Sequence, residues 1–236
     1  MDFNEYYQNS TIVDSYDIKR NRGVKGKIIR KLELKFIDLL LRKNTKQKIL
    51  EIGVGTGFIS RLLANKGEYY GIDLSREMLK KTEETLGKAR LSKGSILSLR
   101  FSKKFDTIVS VRVIGHLNKK EALTALQRVN NALKTNGEFI FNLENKSFLR
   151  RILRKIKNWG WTYTYQYSKK ELCELAEKTN FKIKEIIYLD HLFILPLHLI
   201  NKISFGKLEN FIFKVELNLR KFSFMANNFF IKCGKK

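Results

Sequence analysis

The residues with chemistry in them cluster first at Ile49-Leu50-Glu51-Ile52-Gly53-Val54-Gly55-Thr56-Gly57, where an apolar run ends in Gly-x-Gly-x-Gly and carries an acid two residues ahead of the first glycine. Glycine permits a tight turn and lets a ligand come close, because no Cβ intervenes. Two phosphate-binding versions of such a loop are excluded. The dinucleotide fingerprint needs a third glycine where Phe58 stands, and no Gly-Lys-Ser/Thr follows to make a P-loop. A carboxylate at Glu51 would repel phosphate; it suits a ligand that carries an ammonium group. Asp73 closes a second apolar run, with Ser75 as a helix-start signal behind it. His116 is a possible proton acceptor further along.

Positioning these residues takes an alternation of strands and helices. Residues 25–42 have helical spacing, with Ile28, Ile29, Leu32, Phe36, Leu39 and Leu40 as the apolar positions. Strands are predicted at Lys48–Ile52, Glu68–Ile72, Ala89–Leu91, Phe105–Val111 and Glu138–Leu143. Helices are predicted at Phe58–Asn65, Ser75 to about Leu86, and Lys119–Leu133, and Thr135-Asn136-Gly137 reads as a turn. This rhythm means βαβ units and a mostly parallel, doubly wound sheet. Ser168–Thr179 reads as one more helix, and Phe181–Leu189 and Asn227–Lys232 as a final antiparallel pair at the sheet edge, giving seven strands. Segments at about 146–161 and 194–224 interrupt the pattern.

In this order and spacing the sequence resembles the class I S-adenosylmethionine-dependent methyltransferases, and within them the menaquinone/ubiquinone C-methyltransferase-like group. Glu51–Gly57 is similar to their first motif, and Gly71-Ile72-Asp73-Leu74-Ser75 to the second-strand motif. Phe105-Asp106-Thr107-Ile108-Val109-Ser110 is similar to the fourth-strand motif, and Leu133-Lys134-Thr135-Asn136-Gly137-Glu138-Phe139 to the turn before strand five. The likeness spans roughly residues 45–190 and implies a Rossmann-like fold with S-adenosyl-L-methionine as cofactor. It implies that Glu51, Gly53, Val54 and Gly55 hold the methionine moiety, that Asp73 accepts from both ribose hydroxyls, and that Leu74 and Met78 pack on adenine. Ser95 and Ile96 stand where the family often has an aspartate for the adenine amino group, and Val111 would offer backbone to the methionine end. The stretch Tyr16-Asp17-Ile18-Lys19-Arg20 resembles an N-terminal segment that closes over the cofactor, with Arg20 as a partner for the methionine carboxylate. Residues 1–44 would be that covering helical segment, and 45–236 the methyltransferase domain with its two inserts.

Methyl transfer needs alignment more than acid–base chemistry. His116 is therefore a candidate catalytic residue by position alone. Ser110-Val111-Arg112-Val113 lacks the Asn/Asp-Pro-Pro-Tyr motif of enzymes that methylate nucleic-acid amino groups.

The acceptor must be read from charge and inserts. A formal net charge of +24 favours anionic partners. Phe148, Leu149, Ile152, Leu153 and Ile156 make one helical face among arginines and lysines, followed by Trp159 and Trp161, a pattern that can lie in an anionic membrane interface. Leu208, Phe211, Ile212, Val215, Leu219 and Phe222 repeat the helical spacing after an apolar stretch at Leu192–Ile200. These features point to a small-molecule or lipid acceptor, with RNA as the alternative and a non-catalytic partner subunit as a third reading. Cys173 and Cys233 form no metal-binding pattern, so no metal is expected. The N-terminal residues lack an apolar signal core and no run is long enough to span a bilayer, so the expected compartment is the cytoplasm, with membrane-peripheral association.

Overall fold

A computed structural model describes residues 8, 10–21, 23–41, 46–87, 90–146, 164–191, 194–203, 207–223 and 225–236. The insert expected at 148–161 lies outside them.

Two helices come first, α1 (Ser10–Arg20) and α2 (Gly23–Leu40). Then follow β1 (Gln47–Ile52), α3 (Ser60–Ala64), β2 (Gly67–Asp73), α4 (Arg76–Leu86) and β3 (Arg90–Lys93). The chain returns through β4 (Phe105–Ser110), α5 (Lys119–Ala132) and β5 (Leu133–Asn145). After the two-residue β6 (Gln166–Tyr167) come α6 (Lys169–Lys178), β7 (Phe181–His191), α7 (Leu195–Ile203), α8 (Glu209–Leu219) and β8 (Ala226–Lys235).

The sheet order is β3-β2-β1-β4-β5-β8-β7, with β6 attached to the end of β5. β1 to β5 are mutually parallel, and β8 runs antiparallel to both its neighbours. The expected antiparallel pair is present, but β8 lies inside the sheet and only β7 is at the edge. The expected turn at Thr135-Asn136-Gly137 is absorbed into β5 as an irregularity: Asn136 has φ 63°, and the ladder to β4 shifts register between Phe105 and Thr107.

Continuous apolar runs in β1 and β4 are buried on both faces, as a sheet covered by helices requires. Leu50, Ile52, Ile108 and Phe141 face the layer of α5 and α6. Ile49, Tyr69, Val109 and Ile140 face α2, whose Ile28, Leu32, Phe36 and Leu40 are fully buried. Two capping boxes, Asn118 with Glu121 and Ser168 with Glu171, start α5 and α6. The chain visits β1, β2 and β3 in one direction and then returns beside β1 at β4. That reversal leaves a crevice at the carboxyl ends of β1 and β4, the place where open α/β sheets bind ligands.

Candidate functional site

The glycine turn is built by backbone bonds from β2. Gly53 N and Val54 N donate to the Ile72 carbonyl at 2.8 and 3.3 Å, and Gly55 N donates to Asp73 Oδ2 at 2.9 Å. Thr82 Oγ1 donates to the Gly55 carbonyl at 2.9 Å, tying the turn to α4. At Gly53 φ is +80°, and a Cβ would lie 2.4 Å from Val113 Cγ2. At Gly55 φ is +56°, and a Cβ would meet nothing within 4 Å. The first glycine is thus required by packing, and the second presents bare backbone to open space.

That space is a cavity of about 380 Å³ bounded by the turn, the end of β2 and the segment after β4. Asp73 sits on its wall. Its Oδ1 accepts from Ser75 N at 2.9 Å and its Oδ2 from Gly55 N. Each carboxylate oxygen has a second lone pair, so the group retains acceptor capacity toward the cavity. Burial raises the Asp73 pKa, while the N–H donors of Ser75, Gly55 and Leu74 oppose the rise. Met78, Ile96 and Leu97 give the wall an apolar stretch beside Asp73, and Leu74 at the rim is 43% exposed.

The cavity brings together Tyr16, Gly53, Gly55, Asp73, Leu74, Met78, Ser95, Ile96, Val111 and His116 from the sequence-derived set. Glu51, Val54 and Arg20 are not on its wall. Side chains alternate along β1, so Glu51 shares the face of Ile49 and turns toward α3 and Tyr69. There its Oε2 accepts from Tyr69 OH at 2.6 Å and Ser60 Oγ at 2.7 Å. Burial pushes its pKa up from the ordinary 4.5 to about 7, against the pull of those two hydroxyls. Glu51 therefore braces the turn from behind. Val54 is buried, its side chain packed where a Cβ on Gly71 would stand. Arg20 stacks over the Tyr16 ring, 5.4 Å from its centroid. Ser95 Oγ accepts from Leu97 N at 3.2 Å, capping the short 3-10 turn Ile96–Ser98.

The cation on the wall is Arg112, which sequence reasoning passed over. It directly follows β4 with φ 63°, and its N donates to Asn142 Oδ1 at 2.6 Å. Its guanidinium donates to the buried Glu33 on α2. Burial works against the Arg112 charge, yet Glu33 and Tyr16 outweigh it and raise the pKa. Arg30 on the same helix lies 3.5 Å over the Phe58 ring and bonds Asp17 of α1 at 3.0 Å. The N-terminal helices are thereby clasped to the end of β4. The signal in the sequence was a lone arginine in an apolar stretch, Val111-Arg112-Val113-Ile114. Leu117 and Glu121 complete the wall near His116.

Comparison with known proteins matches the methyltransferase domain family over residues 49–137. An uncharacterized methyltransferase of Alkaliphilus oremlandii is 31% identical over 112 residues, 46% of this chain and 52% of the relative. The chain belongs to the class I S-adenosylmethionine-dependent methyltransferases. A ubiquinone biosynthesis O-methyltransferase of Pelagibacter ubique is 28% identical to this methyltransferase-family chain over 181 residues, covering 71% of it and 73% of the relative. The magnesium protoporphyrin IX methyltransferase of Synechocystis PCC 6803, solved with bound SAH, superposes with a TM-score of 0.69 at 16% identity, covering 99% of this chain and 98% of that one. At that identity the match speaks to the fold, which is the Rossmann-like methyltransferase fold. The chain spans about half the length of the first curated relatives it matches, 52% of one and 45% of the next.

Proposed function

We propose that this chain transfers the methyl group of S-adenosyl-L-methionine to a small-molecule or lipid-like acceptor. The observation that carries the reading is Asp73: a carboxylate with unspent lone pairs, facing a cavity between the Gly53–Gly55 turn and the apolar wall of Met78, Ile96 and Leu97. The cavity fits the cofactor chemically. Asp73 can accept from two vicinal ribose hydroxyls, Leu74, Met78 and Ile96 offer a surface for adenine, and the bare backbone at Gly55 leaves room for the methionine chain. Val111 and Arg112 line the cavity and Arg20 does not, which supports the Val111 backbone and the Arg112 guanidinium as partners of the methionine end. Glu51 holds the turn through Ser60 and Tyr69 and touches no ligand itself.

When bound, the cofactor supplies an electrophilic methyl on a sulfonium. The protein's task is to keep the acceptor nucleophile in line with that methyl and to keep water out. His116 and Leu117 also line the cavity, and the His116 ring would take the proton that a hydroxyl or amine acceptor releases. The ubiquinone-related relative supports a lipid-like acceptor.

A second reading, RNA as acceptor, draws on a separate basic cleft of about 260 Å³ lined by Arg100, Lys103, Arg128 and Lys235 and by no acid. Calorimetry with S-adenosyl-L-methionine tests the cofactor: absence of binding would sink the proposal outright. Methyl-labelled cofactor incubated in turn with a lipid extract and with bulk RNA then separates the two acceptors by where the label goes.

A further inference from the structure

α7 buries two polar residues and exposes two aliphatic ones. After the buried Ile194, its inward positions are Leu197, His198 and Asn201, at helical spacing, and the last two are polar and buried. Asn201 Oδ1 accepts from Leu208 N at 2.8 Å, which binds the helix to the start of α8. Its described outward residues are Pro196, Leu199 and Ile200, and the latter two are 58% and 51% exposed. Ordinary surface helices face the other way, with apolar residues inward and polar ones in water. Phe211, at 54% exposure, adds an aromatic ring from α8.

The neighbouring faces are cationic. α2 packs against both α7 and α8, and it presents Lys27, Lys31 and Lys35 outward at every fourth position. Lys207 and Lys214 are exposed on the α8 side. An open groove between α2 and α8 is lined by Leu34, Leu62 and Phe213 with Lys31, Lys35 and Asp38; Lys31 pairs with Glu209 of α8 and Asp38 with Lys66, so Lys27, Lys35, Lys207 and Lys214 carry most of the positive charge of the face. Because β7 runs parallel to β4 and β5, α7 leaves the sheet at the same end as the Gly53–Gly55 turn.

We infer that the outward faces of α7, α8 and α2 form a docking surface for an anionic lipid bilayer. Exposed aliphatic tips gain by entering the headgroup–acyl boundary, and lysines around them gain at a negatively charged leaflet. Phosphate chains of a nucleic acid would reward the lysines and leave Leu199 and Ile200 in water. Among the described residues no helix is long and apolar enough to cross a membrane, so the association is peripheral. The surface presents the cavity end of the sheet to the bilayer. It goes beyond the methyl-transfer reading, because vesicle binding is measured without cofactor.

Co-sedimentation of the full chain with phosphatidylcholine vesicles, with and without phosphatidylglycerol, tests it. Binding is expected only with the anionic lipid, weakening as salt is raised. The double variant Leu199→Ser with Ile200→Ser should bind about tenfold or more weakly, with an unchanged thermal melt because both side chains are exposed. Lys31→Gln with Lys35→Gln should weaken binding and reduce its salt dependence. No binding to anionic vesicles at low salt would overturn the inference. So would equal binding by the Leu199/Ile200 variant, which would mark the attraction as charge alone, of the kind an RNA would share.

Discussion

The carboxyl ends of β2 and β7 lie at the same end of the sheet, and each meets a buried acidic group there, Asp73 of β2 itself and Glu216 of α8, yet the two are used in opposite ways. Asp73 is wrapped by backbone N–H donors and keeps lone pairs toward an open cavity. At the end of β7, the His191 backbone N–H donates to Glu216 Oε1 of α8 at 2.9 Å, its Nδ1 bonds Glu216 Oε2 at 2.7 Å in the buried core, and its Nε2 bonds the Phe222 carbonyl at 2.8 Å. The first is an unfinished set of bonds that a ligand can complete. The second is finished, and fastens α8 to the sheet. Burial and charge are similar in kind; the spare bonding capacity separates a site from a clasp.

Breaking each side of that contrast gives different readouts. Asp73→Ala should lower S-adenosyl-L-methionine affinity by about a thousandfold by calorimetry, since two charge-assisted hydrogen bonds are lost. An affinity within a few-fold of the parent would make Asp73 a structural cap like any other. Glu216→Ala should leave that affinity nearly intact and cost about 3 kcal/mol in urea unfolding, by stranding a buried histidine. Burial opposes the His191 charge, but Glu216 and the Phe222 carbonyl outweigh it and raise the pKa above the ordinary 6.5. The stability from this pair is complete below about pH 6.5 and is lost as the pH rises through the raised value, so the penalty should shrink in alkaline buffer.

Glu51 lies between the two cases, and its proton sharpens the comparison. The folded chain favours the protonated acid, so its contribution is intact below its ordinary value of 4.5 and is lost as pH rises to about 7. The parent should lose up to about 3 kcal/mol relative to Glu51→Gln across that window in pH-dependent melts. Parallel curves would mean that the two hydroxyls fully compensate burial. Gly55→Ala has the smallest expected effect on folding, about 1 kcal/mol for a left-handed residue with room around it. Its cofactor affinity should fall further, about tenfold, because the added methyl stands in the cavity. Equal losses in both measurements would remove Gly55 from the binding surface.

How far the sequence could be read follows the same divide. Residues 46–145 were legible because buried parallel strands announce themselves as apolar runs and the glycine turn has few alternatives. The place of Asp73 on the cavity wall was legible because it ends such a run. The direction of Glu51 was missed: the sequence shows that a charge ends β1, but strand alternation sends it behind the turn, to a tyrosine hydroxyl on the next strand. Arg112 was missed because its partner, Glu33, lies 79 residues earlier. The apolar stretch before residue 200 was visible, but periodicity could not say that His198 and Asn201 would be the buried side.

β8 lies between β5 and β7 although it follows both in the chain, and the segment opposite β5 is drawn from more than 80 residues away. Its partners on either side differ in their other attachments: β5 also pairs with β4, whereas among the described residues β7 joins the sheet through β8 alone. Assembly of this half is therefore a closing step of high contact order, and β7 waits for it. Interrupting the chain before residue 226 would forfeit two strands for the length of one, and with them the anchorage of α7.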